Sequence, residues 1–345
     1  MVVLVTGAAG FIGFHLCLKL LNENYDVVGI DSLNDYYDVN LKKERLEIIK
    51  SKAKEINSQF KFFKVDITDN YSLKKVFEEY RPKKVINLAA QAGVRYSLIN
   101  PSAYYSSNLI GFGNILQNCI DLKVEHFVYA SSSSVYGGNI KMPLSEKDSV
   151  DHPVSLYAAT KRANELIAHS YSHIYGLPAT GLRFFTVYGP YGRPDMALFL
   201  FTEAMLKGEK IDVFNNGEMI RDFTYIDDVV ISIVKILEKP PSKNDNFNKS
   251  DLSPEISWAP HRIFNVGNSN PVNLMDFLKA LEDNLSIKAK INFLPMQSGD
   301  VAATSSDTHI LESYINYKPT TTVKEGIAKF VNWYKKFYDK EVKFR

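Results

Sequence analysis

The chain reads as an α/β protein, a parallel sheet covered by helices and followed by a smaller, less regular C-terminal region. Three observations carry that reading. Short apolar runs alternate with amphipathic segments through the first half, a glycine-rich turn follows the first apolar run, and the alternation breaks after Gly189.

In chain order, Val2 to Thr6 is an apolar run of strand length and Ile12 to Asn22 has helical periodicity. Asp26 to Asp31 predicts the second strand, Leu41 to Ile56 the second helix and Phe60 to Asp66 the third strand. Ser72 to Glu79 predicts a helix, Lys84 to Ala89 a strand, Ala103 to Ile120 one long helix and Glu125 to Ser131 a strand. A helix from about Leu156 to Tyr175 and a strand within 178–185 complete the alternation. Beyond Gly189, Pro190, Gly192, Arg193, Pro194 and Asp195 break it; a helix over Phe199 to Lys207 and a hairpin at Asn215-Asn216-Gly217-Glu218 are expected. Ile226 to Lys239 reads as a helix returning to the large domain, and Ile263 to Gly267 as a late strand. The polar stretch from Pro240 to Pro260 reads as a surface excursion of variable order, and Thr322 to Tyr338 as an amphipathic helix.

At 345 residues with 45% hydrophobic side chains, there is ample material for a large core. A net charge of +2 lacks the concentrated basic surface of a nucleic-acid binder, so none is expected as a partner. Lys42, Lys43, Arg45, Lys50, Lys52 and Lys54 are interspersed with Glu44, Glu47 and Glu55, which reads as a solvated helix face. Cys17 and Cys119 sit among apolar neighbours and suggest no disulfide. No apolar stretch is long enough to cross a bilayer, and no basic leader precedes Val2, so a cytoplasmic protein free of membrane is expected.

Gly7, Gly10 and Gly13 stand between the first strand and its helix, where a dinucleotide needs a tight turn, close backbone approach to its pyrophosphate and helix-start amides. The result is a Rossmann-like expectation. Asp31 ends the second strand 18 positions beyond Gly13, where a carboxylate accepts ribose hydroxyl protons and repels a 2′-phosphate, favouring NAD over NADP. A turn or cap role for Asp31 is the alternative, and Asp66 reads equally as an adenine-edge contact or a cap. The residues expected around NAD are Gly7, Gly10, Phe11, Ile12 and Gly13 on the first turn, with Asp31, Asn34, Asp66 and Ile67 at the adenosine end. Leu88, Ala89, Ala90, Gln91 and Asn108 join them, with Tyr157 and Lys161 beside the nicotinamide.

Tyr157 and Lys161 lie four apart on one helix and share a face. A phenol is a poor base at neutrality, but a neighbouring ammonium and a cationic nicotinamide both favour its phenolate. Ser132, at a strand end, is placed to share a substrate oxygen with Tyr157. Ser132, Tyr157 and Lys161 are therefore the candidate catalytic set for alcohol–ketone interconversion. No metal is expected.

Gly7-Ala8-Ala9-Gly10-Phe11-Ile12-Gly13, Ser131-Ser132-Ser133-Ser134-Val135-Tyr136-Gly137, Tyr157-Ala158-Ala159-Thr160-Lys161 and Arg183-Phe184-Phe185-Thr186-Val187-Tyr188-Gly189-Pro190 closely resemble motifs of the extended short-chain dehydrogenase/reductase family of nucleotide-sugar enzymes. The resemblance covers essentially the whole chain. It implies a smaller C-terminal nucleotide-sugar-binding domain, 190–225 and 269–330, against a Rossmann-like domain, 1–189 with returning segments 226–239 and 262–268, and a terminal helix and tail, 331–345. It implies a UDP-sugar substrate and a homodimer. Ala92-Gly93-Val94-Arg95-Tyr96-Ser97, Gly192-Arg193-Pro194-Asp195-Met196-Ala197 and Gly299-Asp300-Val301-Ala302-Ala303-Thr304 resemble the branch acting on UDP-glucuronate.

By that resemblance Arg221 contacts the diphosphate and Asp300 the uridine ribose, Gln297 stands where some relatives carry a second arginine, and Arg95 joins the substrate site. Ser133, Ser134 and Thr186 are expected on the sugar carboxylate, with Arg193 as its charged partner. Similar dehydratases carry an acidic pair at 133 and 134, and similar decarboxylases a glutamate at 134; here both are serine. The expected reaction is reversible C4 epimerisation of UDP-glucuronate to UDP-galacturonate through a 4-keto sugar. UDP-glucose epimerisation, UDP-glucuronate decarboxylation and non-catalytic dinucleotide sensing stay open.

Overall fold

The structure is a computed structural model that describes residues 1–342 apart from 251 and 298, and the side chains up to 338. Its first half follows the predicted alternation: β1 (Val2–Thr6), α1 (Phe11–Asn22), β2 (Asp26–Asp31), α2 (Val39–Glu55), β3 (Phe60–Lys64), α3 (Asn70–Tyr80) and β4 (Lys84–Asn87). Then come α4 (Tyr96–Ile99), α5 (Pro101–Tyr104), α6 (Phe112–Asp121), β5 (His126–Ser132), α7 (Leu156–Tyr175) and β6 (Ala179–Phe184). The late strand β11 (His261–Val266) closes the edge beside β6.

The main sheet has seven strands in the order β11-β6-β5-β4-β1-β2-β3, and every pairing in it is parallel. From β1 the chain runs outward to β3 on one side and from β4 to β11 on the other. The strand order therefore reverses between β1 and β4, and the crevice at their C-terminal ends is the natural ligand position. Strand residues alternate between two apolar layers: Val3, Val5 and Ile86 pack with Phe14 and Leu20, while Leu4, Val28 and Val85 pack with Phe77 and Phe112. Burial on both faces explains the uninterrupted apolar runs.

Between β6 and β11 lie β7 (Thr186–Tyr188), α8 (Ala197–Lys207), β8 (Lys210–Val213), β9 (Ile220–Arg221), β10 (Phe223–Tyr225) and α9 (Ile226–Leu237). After β11 come β12 (Val272–Asn273), α10 (Leu274–Leu285), β13 (Lys290–Phe293), α11 (His309–Ile315) and α12 (Val323–Val342). These short strands form three two-stranded sheets, β10 with β7, β12 with β9 and β13 with β8.

Several expectations are corrected. No hairpin forms at Asn215 to Glu218: both asparagines have positive φ and a 3-10 turn is present, but β8 and β9 leave it to pair with β13 and β12. Turn chemistry was read correctly, and long-range pairing overrode the local partner. The predicted helix from Ala103 to Ile120 is divided by a π-helical stretch, Tyr105–Gly111, whose wider turn accommodates the buried Asn108 contacts. Lys42 and Arg45 are not on a solvated face; both are buried. Within the stretch from Pro240 to Pro260, Glu255, Ser257 and Ala259 are buried, and Ser257 is hydrogen-bonded to His169 of α7. The boundary at 330/331 falls inside α12 rather than at its start.

Candidate active site

One cleft of about 1250 Å³ opens at the strand-order reversal and runs from the β1 turn to the small sheets. Gly7, Gly10, Phe11, Ile12 and Gly13 line one end. Gly7 has φ +69°, and a Cβ there would lie 2.9 Å from the Ala89 nitrogen. A Cβ on Gly13 would come within 2.0 Å of the Gly7 carbonyl oxygen, so only glycine lets α1 start this close to β1. Asp31 Oδ2 accepts from the Ala9 amide (3.1 Å) and Oδ1 from the Leu33 amide (2.8 Å), leaving each oxygen with acceptor capacity toward the cleft. Burial pushes the Asp31 carboxyl above its usual range, against the pull of the Leu33 amide and Lys42.

Asn34, Asp66, Ile67, Leu88, Ala89, Ala90 and Gln91 also line this end. Asp66 caps its own turn, accepting from the Thr68 amide (2.9 Å) and hydroxyl (2.7 Å). Asn108 is not in the wall. Its Oδ1 accepts from the Gln91 amide (2.8 Å) and its Nδ2 donates to the Gln91 carbonyl (3.1 Å), so it positions the wall from behind. A glycine cradle that a Cβ would fill, facing a carboxylate with free acceptors, fits the pyrophosphate and adenosine ribose of NAD.

At mid-cleft, α7 begins at Ser155, whose hydroxyl accepts from the Ala158 amide (3.1 Å), and ends at Gly176 with φ +71°. It brings Tyr157 and Lys161 to the wall beside Ser132, Ser133 and Ser134. Lys161 Nζ donates to the Ala130 carbonyl (3.0 Å) and lies 6.0 Å from the Tyr157 ring centroid. Burial lowers the Lys161 ammonium to about 8. The expectation that Lys161 lowers the phenol is not met by the protein's own groups: burial raises Tyr157, opposed by the Ser132 hydroxyl and by Arg193. Ser132 Oγ accepts from the Ser134 amide (3.1 Å), which turns the serine run into the cleft.

At the far end, Thr186, Arg193, Arg221, Arg95 and Asp300 line the same cleft, while Gln297 stands outside its wall. Arg193 pairs with Asp195, which also accepts from the Tyr36 hydroxyl (3.1 Å), so its charge is already compensated. Arg95 pairs with Asp300 (2.9 Å) and lies over the Phe214 ring at 4.7 Å. Arg221 is aimed by the carbonyls of Val301 (2.7 Å) and Ala302 (3.0 Å).

Sequence reasoning missed the groups that hold these walls. Glu165, one turn beyond Lys161, accepts from Ser131 Oγ (2.6 Å) and takes two bonds of 2.9 Å from the fully buried Arg183, tying α7 to β5 and β6 behind Ser132. Arg45 donates to the carbonyls of Ala9 (2.8 Å) and Tyr191 (2.7 Å), linking the glycine turn to the loop before Arg193. The available signal was spacing: Glu165 continues the four-residue period of Tyr157 and Lys161. Among the described residues, no group of three or more His, Cys, Asp or Glu could hold a metal ion, and no helix is long and apolar enough to cross a membrane.

The model of the NAD dependent epimerase/dehydratase family matches residues 3–249. A probable UDP-glucuronate 4-epimerase of Rhizobium meliloti is 46% identical over 97% of both chains. The crystal structure of UDP-glucuronic acid 4-epimerase from Bacillus cereus, in complex with UDP-glucuronic acid and NAD, superposes with a TM-score of 0.85 at 33% identity, covering 98% of this chain and 100% of that one. UDP-glucose 4-epimerase from Thermotoga maritima, solved with UDP-glucose, gives 0.83 at 30% identity with the same coverage. Backbone likeness alone therefore does not separate a hexuronate from a neutral hexose.

Proposed function

Because the chain belongs to the NAD dependent epimerase/dehydratase family, we propose that it interconverts UDP-glucuronate and UDP-galacturonate by oxidation and re-reduction at C4 of the sugar. The observation that carries this reading is the single cleft in which Ser132, Tyr157 and Lys161 sit between a dinucleotide cradle and a hydroxyl-lined pocket with arginines beyond it. Bound NAD supplies the acceptor for the C4 hydride and, once reduced, its donor. Tyr157 Oη, as the phenolate that the Lys161 ammonium and a cationic nicotinamide would favour against burial, takes the proton of the C4 hydroxyl as that carbon becomes a ketone, and returns it when the alcohol reforms. Ser132 shares the sugar oxygen. The Lys161 ammonium, anchored on the Ala130 carbonyl, supplies nearby positive charge when the phenol ionises.

Ser133, Ser134 and Thr186 hold the sugar carboxylate through neutral donors, since Asp195 already compensates Arg193. Arg221 holds the diphosphate, Asp300 with its partner Arg95 meets the uridine ribose, and Gln297 supports that end from outside the wall. The segments 190–225 and 269–330 then form the nucleotide-sugar half. A homodimer is supported by exposed Leu98, Ile99, Tyr105 and Ile110 near α6 and Leu166 on α7. The two free, buried cysteines suit a reducing cytoplasm.

The test is incubation of purified protein with UDP-glucuronate without added NAD, with products resolved by chromatography and mass spectrometry. An equal-mass product is expected. Release of carbon dioxide with a UDP-pentose overturns the epimerase reading in favour of decarboxylation.

A further inference from the structure

The loop between β7 and α8 brings Arg193 to the cleft wall, yet its backbone is held from the dinucleotide half. His15 on α1 hydrogen-bonds the Pro190 carbonyl (2.9 Å), and the Tyr191 ring packs 4.8 Å from the Phe14 ring and 4.7 Å from that of Trp333. Tyr191 itself is left-handed, with φ +56°. For a bulky side chain that conformation is strained and persists only where surrounding contacts impose it. Arg45, fully buried on α2, supplies such contacts: one terminal nitrogen donates to two successive carbonyls of this turn, Tyr191 (2.7 Å) and Gly192 (3.2 Å). The other donates to the Ala9 carbonyl in the glycine turn (2.8 Å) and to the Tyr37 hydroxyl (2.7 Å). All four terminal N–H protons are thereby used, and among the described residues no carboxylate pairs with the guanidinium. A planar fork fixes its two ends relative to each other. A shift of Ala9 therefore carries over to Tyr191 and Gly192, because a buried cation that loses an acceptor is strongly penalised.

We propose that Arg45 is a positioning residue that couples the two ligands of the cleft. A dinucleotide in the glycine turn fixes Ala9, Ala9 fixes the guanidinium, and the guanidinium holds Tyr191 left-handed, so that Arg193 further along the loop is presented to the sugar. The Tyr191 turn is an element with two arrangements, held or relaxed, and both ligands favour the held one. This rests on the reading of the cleft as a site for NAD and a UDP-hexuronate. The consequence is reciprocal: NAD raises the affinity for UDP-glucuronate, and UDP-glucuronate raises the affinity for NAD by the same factor. A cofactor that is reduced and reoxidised in place is thus gripped most firmly while the sugar is present.

Tyr157→Phe, which holds the sugar without turning it over, serves as the background, and Arg45→Lys, Arg45→Gln and Arg193→Gln are each added to it in the full-length chain. Calorimetry gives the UDP-glucuronate dissociation constant with NAD bound and after NAD is stripped, and melting temperatures report folding. NAD should tighten UDP-glucuronate about tenfold in the background. Arg45→Gln should remove that factor, and Arg45→Lys, which keeps the charge but not the planar fork, should leave about a third of it. Arg193→Gln, at the cleft wall, should match Arg45→Gln; if Arg45→Gln does not fold, the other two variants decide. An Arg45 that serves folding alone weakens both ligands with their mutual factor unchanged, and that result overturns the proposal. Independent binding of the two ligands in the background, or a factor that survives Arg193→Gln, overturns it as well while the cofactor and substrate reading stands. A background that binds neither ligand overturns that reading.

Discussion

At the dinucleotide end of the cleft, Gly7, Gly10 and Gly13 form one turn between neighbouring elements, and Asp31 ends the strand paired with β1. At the sugar end, Thr186, Arg221 and Asp300 arrive on separate segments, held by two-residue and three-residue strands that pair across long stretches of chain. The hub there is the buried Asp222, whose carboxylate accepts from the amides of Asn268 (2.8 Å), Ser269 (3.1 Å) and Ser306 (2.9 Å) and from the Ser306 hydroxyl. A local turn backed by a large sheet therefore builds the first end, whereas one buried carboxylate gathers distant loops into the second. The difference shows why substrate choice can change within a preserved dinucleotide frame: the segments that Asp222 gathers are distant in chain from the glycine turn, and the links between the two ends run through Arg45 and Tyr36 to the 191–195 loop.

The sharpest test falls where the two ends meet. Tyr157→Phe removes the proton acceptor but no backbone contact, so turnover should drop by roughly 10²–10⁴-fold while the melting temperature and bound NAD stay near the parent's. A loss of NAD in step with activity would mean that the two ends are not separable at this residue.

Acid should act through the desolvated histidines, His15 on α1 among them. His126 and His261, on β5 and β11, are buried and held down to about 4 and about 3 by desolvation. The unfolded chain titrates near 6.5, so between pH 6.5 and about 4 it binds more protons than the folded chain. Stability therefore falls on acidification through that window, by about 1.4 kcal/mol per pH unit for each histidine. Urea midpoints measured from pH 7 to pH 4 should show this slope, and His126→Gln should flatten it; an unchanged slope removes His126 as a source.

Asp222→Asn probes the other hub. Replacing the charged acceptor should cost about 1.5–3 kcal/mol of stability, as for hydrogen bonds to a charged group. KM for the UDP-sugar should rise more than the NAD dissociation constant, because Arg221 is the neighbouring residue. Equal changes in both would mean that the loops gathered by Asp222 also shape the dinucleotide end.

The smallest effect belongs to Thr186→Val. Loss of one neutral donor at the carboxylate should let a few-fold larger share of the 4-keto sugar escape by decarboxylation, read as the ratio of pentose to hexuronate product on chromatography. A ratio equal to the parent's removes Thr186 from that contact.

Legibility follows the same division. The β1 turn, Asp31 and the pair Tyr157 and Lys161 were readable because each depends on spacing within one or two elements. Asn215 to Gly217 shows the limit: the turn was visible, but its flanking strands pair with β12 and β13, more than fifty residues away, and no local pattern names those partners. Asn108 had the right neighbourhood and the wrong side of the wall, because the π-helical stretch directs it onto the Gln91 backbone. Lys42 and Arg45 looked solvated among their glutamates, and only docking of α2 against the glycine turn and the Tyr191 loop buries them.

By itself the sequence determined the parallel sheet, the dinucleotide turn and the placing of Tyr157 and Lys161 on one helix face, since short apolar runs, glycine sterics and a four-residue helical spacing are short-range constraints. Only the tertiary structure decided which charges are compensated: Arg193 by Asp195, Arg95 by Asp300, Arg183 by Glu165, with Lys42 left facing the cleft. Electrostatic pairing and desolvation depend on distances in space, and folding sets those distances between residues that can be far apart along the chain.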